Sequence, residues 1–351
     1  MNMTDEKLRF AIVGPGSVAH VHCRAIEQAC GAELVAVCGR DERKTKTFAD
    51  QYGVKACTDL DVLLTDKDID AITIATPSGS HLDIGTYAAR LGKHILCEKP
   101  LEITSQRAQS LIDACSNNGV HLGVFFQARF EKCTHLAKEA IDNGRLGRLL
   151  FASCQMRWYR SQEYYDSAVW RGTWNLDGGG CLMNQGIHTL DLLVLLAGDP
   201  AEVSAVKGPV THLHIEVEDN LCATVRFSSG AIGTIEASTS CAPGFPRRIE
   251  VSGEKGSICI EDNRIVRWEF AEEQPLDAAI KSQMGTHGTG VGGASDPTAI
   301  DVAGHSLVVE DFVRSVRDKR PPCIDGVEGK RAVDFVCAVY ESIRTGQPVS
   351  L

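Results

Sequence analysis

Phe10-Ala11-Ile12-Val13-Gly14-Pro15-Gly16-Ser17-Val18-Ala19 reads as an apolar strand running through a glycine turn into a helix. Gly14, Gly16 and Ala19 strip side chains from the turn. The amides of Gly16, Ser17 and Val18 are thereby set at a helix amino terminus, where a pyrophosphate accepts hydrogen bonds and the helix dipole favours its charge. Outward from this turn, residues 34–38, 71–75, 94–97 and 120–125 form further short apolar runs. Amphipathic stretches over 19–30, 43–52, 80–91 and 105–117 lie between them. That alternation predicts a doubly wound parallel sheet with helical crossovers, a Rossmann domain over residues 1–127.

Beyond residue 130 the texture changes. One helix is expected over 134–143 and another over 180–196. Strands are expected over 149–158, 202–207, 221–227, 231–238, 248–252 and 257–260. Strands in sequence with little crossover helix predict a mostly antiparallel sheet. Residues 128–351 thus read as an α+β domain, glycine-rich 283–294 as a surface loop, and 306–318 and 329–345 as helices that pack back on the Rossmann domain. The chain as a whole reads as α/β.

At 351 residues with 43% apolar and 23% charged residues, the composition is that of a globular protein. A formal net charge of -10 disfavours nucleic acid and anionic membranes. No apolar run reaches the ~20 residues that span a bilayer, and the charged amino terminus lacks a signal core, so a cytoplasmic protein is expected. Fourteen cysteines lie scattered without a CxxC pair or zinc spacing. They read as reduced, buried thiols in a protein without a metal site.

Three further stretches carry chemistry. The second strand ends in Cys38-Gly39-Arg40-Asp41, where an acid usually grips the adenine ribose. Arg40 permits a 2′-phosphate, Asp41 is a weaker ribose partner, and both NAD and NADP stay open. Thr76-Pro77-Ser78-Gly79-Ser80-His81 follows a strand at the carboxyl edge of the sheet, where Thr76, Pro77 and His81 are candidates for lining the cofactor. Glu98-Lys99-Pro100 ends another strand. A lysine at this place, if partly desolvated beside a cationic ring, would have its charged form disfavoured, which suits it to proton transfer. His20 and His22 read as packing residues of the first helix. Trp158, Tyr159, Tyr164, Tyr165, Trp170 and Trp174, with Arg157, Arg160 and Arg171, suit sugar rings and anionic groups.

These motifs, with Asp177-Gly178-Gly179-Gly180 leading into Asn184-Gln185-Gly186-Ile187-His188 and Asp191, resemble the family of glucose-fructose oxidoreductase and inositol 2-dehydrogenase. The resemblance implies an NAD(P)-dependent oxidoreductase with Lys99 and His188 as catalytic residues. It implies cofactor contacts from Gly14, Gly16, Ser17, Val18, Arg40, Thr76, Pro77, His81, Glu98, Lys99 and Gln127. Substrate contacts are implied for Lys99, Arg129, Trp170, Arg171, Asn184, His188 and Asp191. Asn184 stands where the family commonly has aspartate; a neutral amide cannot take a proton, so acid/base work falls to Lys99 and His188. Asparagine here is similar to a subgroup acting on nucleotide-sugar acids.

The expected reaction is hydride exchange with a secondary alcohol of a sugar, sugar acid, inositol or nucleotide sugar, in a cleft between domains. Two other readings remain open: a glycosidase that recycles bound NAD, and a ligand-sensing regulator. The resemblance also implies a homodimer or homotetramer.

Overall fold

The computed structural model describes residues 6–284 and 302–351. Two compact units divide the chain, Met1–Gln127 with Ile300–Lys330 and Ala128–Ala299 with Arg331–Leu351.

In the first unit the order is β1 (Leu8–Val13), α1 (Ser17–Gln28), β2 (Ala32–Cys38), α2 (Glu42–Tyr52), β3 (Lys55–Cys57), α3 (Leu60–Thr65), β4 (Ala71–Ile74), α4 (His81–Arg90), β5 (His94–Cys97), α5 (Ser105–Asn117) and β6 (Leu122–Val124). The strands form a six-stranded sheet ordered β3-β2-β1-β4-β5-β6, with every pairing parallel. All four residues of β4 are buried, as covering a parallel sheet on both faces requires. Short polar side chains start the helices: Asp41 accepts from the Lys44 amide at 2.9 Å and Thr104 from the Arg107 amide at 3.2 Å. The fold matches the sequence reading, which passes over β3 and α3. Both are too short, at 3 and 6 residues, for periodicity to register.

The second unit opens with α6 (Lys132–Asp142), β7 (Leu149–Arg157) and α7 (Gln162–Asp166). A π-helical segment, Cys181–Gly186, then leads into α8 (Ile187–Ala197). Next come β8 (Pro200–Lys207), β9 (Asn220–Phe227), β10 (Ile232–Ser238), β11 (Arg248–Gly253), β12 (Gly256–Glu261), β13 (Arg264–Phe270) and α9 (Pro275–Gln283). After the undescribed stretch follow α10 (Ala303–Asp318), α11 (Gly326–Thr345) and β14 (Val349–Ser350). The larger sheet runs β13-β12-β11-β7-β10-β9-β8-β14. Its pairings are antiparallel except β7 with β10. The expected loop over 283–294 lies, beyond Met284, outside the described residues.

Helix α10 belongs to the first unit. Its Ser306 hydroxyl donates to Gln28 Oε1 at 3.1 Å, Glu310 accepts from the Cys30 amide at 3.2 Å, and Phe312 meets Phe10 at 6.1 Å between ring centres. In the larger sheet, Leu221, Ala223, Val225 and Phe227 of β9 point inward. On the opposite face Phe151, Val206 and Ile232 are exposed at 55%, 63% and 47%. That exposed face is lined also by Cys222, Thr224 and the Arg157–Glu236 ion pair.

Candidate active site

The first unit gathers one group of candidates around the glycine turn. Gly14 has φ +104°, and a Cβ there would lie 2.7 Å from the Ala75 carbonyl oxygen. Glycine is needed on both counts. A Cβ on Gly16 would find nothing nearer than that oxygen at 4.0 Å, so the turn is open above it. Gly16 stands at the N-cap of α1 with no side chain capping the helix and no acidic residue in its first turn. Gly16 and Ser17 are exposed and Val18 half-buried. A bare turn, an uncapped helix start and no competing carboxylate fit a dinucleotide pyrophosphate.

Beside this turn, Thr76 Oγ1 lies 2.8 Å from Ser80 Oγ, whose hydroxyl donates to the Pro77 carbonyl at 2.6 Å. His81 is buried, with Nε2 3.0 Å from the Thr76 carbonyl oxygen and Nδ1 3.1 Å from that of Pro100. It ties the turn after β4 to the turn after β5. Arg40 is exposed just past β2. Asp41 is engaged as the cap of α2, which leaves Arg40 the better placed of the two for a phosphate or ribose. Gln127 is half-buried, with its carbonyl oxygen 3.2 Å from where a Cβ on Gly304 would stand.

Lys99 is half-buried and stands two residues past the end of β5. Glu98 faces inward, with Oε2 accepting from the Lys99 amide at 3.0 Å and Oε1 3.0 Å from His22 Nε2. Burial alone would raise this carboxyl. The His22 bond and the charges of His22, Lys99 and His305 outweigh it and hold Glu98 down at about 2. An ionised carboxylate only accepts, so His22 carries its proton on Nε2. The His22 ring stacks on Phe125 at 4.3 Å, and Nδ1 lies 3.1 Å from Thr73 Oγ1. His22 therefore packs, as its sequence position predicts, and also fixes the residue before Lys99.

In the second unit Asn184 sits on the π-helical segment and His188 in the first turn of α8; both are half-buried. Asn184 Nδ2 donates to Asp177 Oδ1 at 2.5 Å, and Asp177 Oδ2 accepts from the Gly172 amide at 2.8 Å. With its nitrogen turned to Asp177, the other end of the Asn184 amide is its acceptor oxygen. Gln185, the next residue, donates to the Tyr164 hydroxyl at 2.8 Å. Tyr164 carries the Arg171 guanidinium 4.0 Å above its ring centre, and Trp170 lies 4.7 Å from the same guanidinium. Arg160 stands 5.6 Å from Tyr164 and 5.1 Å from Trp158. Burial pushes Arg160 below its ordinary value. Arg171 has a buried Nε without a hydrogen-bond partner and makes no ion pair among the described residues.

Arg129 and Asp191 are placed differently from the others. They form a buried two-point ion pair, Nε to Oδ2 at 2.8 Å and an η-nitrogen to Oδ1 at 2.6 Å. Sequence reasoning missed Glu218 and Tyr340, which bond to the start of the π-helical segment. Nothing local marks them, since they lie 36 to 160 residues away from the amides they meet. Among the described residues no group of three or more metal-ligating side chains occurs, and no helix is long and apolar enough to cross a membrane.

Profiles described as an oxidoreductase family with an NAD-binding Rossmann fold and as a GFO/IDH/MocA C-terminal domain match residues 8–126 and 134–259. The crystal structure of the WlbA dehydrogenase from Bordetella pertussis, in complex with NADH and UDP-GlcNAcA, superposes with a TM-score of 0.91. It is 34% identical, over 99% of each chain. The 1,5-anhydro-D-fructose reductase of Ensifer adhaerens is 30% identical over 98% of both chains. Inositol 2-dehydrogenase of Rhizobium meliloti is 30% identical, covering 75% of this chain and 78% of its own. With a bare glycine turn that fits a dinucleotide and matches over both units, the chain belongs to the GFO/IDH/MocA family of NAD(P)-dependent oxidoreductases.

Proposed function

We propose that the protein oxidises a secondary alcohol of an anionic nucleotide sugar, of the UDP-GlcNAcA class, with NAD as the acceptor. The observation that carries the substrate class is Arg171. It is held between Tyr164 and Trp170 without a carboxylate partner among the described residues, in hydrogen-bonded sequence with the segment bearing Asn184. Taking a guanidinium partly out of water without an anion is unfavourable, and a carboxylate or phosphate of the substrate supplies one. Similarity over the full length to a dehydrogenase crystallised with UDP-GlcNAcA supports the same class.

Bound nicotinamide supplies the hydride acceptor. Lys99 and His188 hold and remove the hydroxyl proton, the amine orienting the alcohol oxygen and the imidazole acting as base. Asn184 offers its amide oxygen to a substrate hydroxyl and takes no proton. Gly14, Gly16, Ser17 and Val18 seat the pyrophosphate, Thr76 and Pro77 the nicotinamide ribose, and Arg40 the adenosine end. Arg129 and Asp191 act on the site by bracing α8. The relatives named above carry dehydrogenase or reductase names, and nothing in the site favours NAD recycling by a glycosidase or a purely sensory role.

The exposed face of the larger sheet supports a homo-oligomer closed through that face, since Phe151, Val206 and Ile232 otherwise stay in water. A cytoplasmic enzyme is consistent with its free thiols. The test of substrate class is NADH formation from NAD with UDP-GlcNAcA, UDP-GlcNAc and myo-inositol in parallel. Turnover with the first and little with the others supports the reading; preference for myo-inositol or for the sugar without a carboxylate overturns it.

A further inference from the structure

The amides at the start of the Asn184 segment have no carbonyl of their own helix to bond, and each finds a partner elsewhere in the unit. The Gly180 amide donates to Glu218 Oε2 at 3.0 Å, and the Leu182 amide to Oε1 at 3.1 Å. Between them the Cys181 amide donates to the Glu218 main-chain carbonyl at 2.9 Å. The Met183 amide donates to the Tyr340 hydroxyl at 3.2 Å, and that hydroxyl in turn donates to Glu218 Oε1 at 2.9 Å. Four consecutive donors are thus satisfied by two residues from β9's approach and from α11.

Two of the three glycines before the segment, Gly179 and Gly180, follow from this cap. A Cβ on Gly179 would stand 2.3 Å from the Tyr340 hydroxyl, and one on Gly180 only 1.6 Å from the Glu218 carbonyl oxygen. Side chains there would expel the capping pair.

We propose that Glu218 and Tyr340 are positioning residues for the reaction, a two-residue cap that sets the register and rotation of the helix presenting Asn184 and His188. This rests on the reading that Asn184 and His188 meet the substrate. A negative group at a helix amino terminus is favoured by the dipole, and an ionised carboxylate presents a strong acceptor oxygen to each of the two amides. Burial pushes Glu218 up to about 7, against the two amides and the Tyr340 hydroxyl, which favour its charged form. The titratable groups facing it are Tyr340 and Cys181, both pushed well above their ordinary values by burial. Asp219, next in the chain, is held low despite burial by Thr211 and His212. Glu218 is therefore the member of this cluster that changes charge near neutrality.

The test compares Glu218→Gln and Tyr340→Phe with the unaltered protein, after confirming that each binds NADH. Amide hydrogen exchange across residues 179–190 reads the cap without any substrate, and His188 ring resonances read its effect on the base. Exchange at 180–188 is expected to rise about tenfold or more in E218Q and less in Y340F, with His188 resonances moved and those of exposed His135 unmoved. With UDP-GlcNAcA, kcat is expected to fall about tenfold in E218Q with KM within about threefold, and the acidic limb of the kcat profile, to which the base His188 also contributes, to shift in E218Q while keeping its place in Y340F. Unchanged exchange in both variants overturns the proposal. So does faster exchange with His188 resonances and kcat unmoved. Failure of the unaltered protein to turn over UDP-GlcNAcA would overturn the substrate class alone, and exchange with the His188 signal would still decide the cap.

Discussion

Arg171 and Glu98 show how a single side chain betrays its role by what surrounds it. Arg171 has aromatic faces and no acid to pair with among the described residues, so Arg171→Leu is expected to raise KM for UDP-GlcNAcA roughly ten- to a hundredfold while changing kcat much less. Steady-state kinetics at saturating NAD decides it. Glu98 is the opposite case, a carboxylate fully paired inside the first unit. Its value of about 2 lies below the ordinary 4.5, so its stabilisation is present above about pH 4.5 and is lost as pH falls through about 2. Glu98→Gln is expected to cost on the order of 3 kcal/mol at neutral pH, with the gap to the unaltered protein closing in acid, by urea unfolding across pH. Lys99, Asn184 and His188 stand out in the sequence as candidates because their motifs are local. The engagement of Asp191 with Arg129, 62 residues away, was not, since no spacing announces a long-range ion pair.

At the scale of elements, the glycine turn, α5 and β5 read directly from periodicity, and β5 and α5 fall at the predicted bounds. The helix expected over 180–196 instead begins as a π-helical segment before continuing as α8. Its first amides bond to Glu218 and Tyr340, which are distant in sequence, so local sequence does not reveal them. Gly180→Ala tests that cap sterically: a Cβ 1.6 Å from a carbonyl oxygen forces the segment to move, and a loss of at least about 1–3 kcal/mol in urea unfolding is expected, with activity lost. Glu218 also bears on stability, with the sign opposite to Glu98. Its value of about 7 lies above the ordinary 4.5, so its contribution is full below about pH 4.5 and is lost as pH rises through about 7. The stability difference between about pH 5 and pH 8 should therefore shrink in Glu218→Gln.

For the whole molecule, a Rossmann unit followed by an open-faced, mostly antiparallel sheet was legible because alternating and crossover patterns differ along the chain. Strands β13 and β14 escaped because Arg264, Arg267 and Glu269 interrupt the apolar residues of the one and break its alternation, and the other is two residues long. The exposed face around Phe151 predicts self-association. Phe151→Asp is expected to yield a smaller species than the unaltered protein by light scattering, and equal masses would remove that face from the account. The central claim, that Lys99 and His188 carry protons for a hydride transfer while the glycine turn holds the dinucleotide, meets its most direct test in Lys99→Ala and His188→Ala. NADH affinity and turnover of UDP-GlcNAcA should be measured together on each. Affinity within about threefold of the unaltered protein, with turnover reduced about a hundredfold or more, is the predicted result. Turnover retained in either variant, or NADH affinity lost along with it in both, would contradict the account.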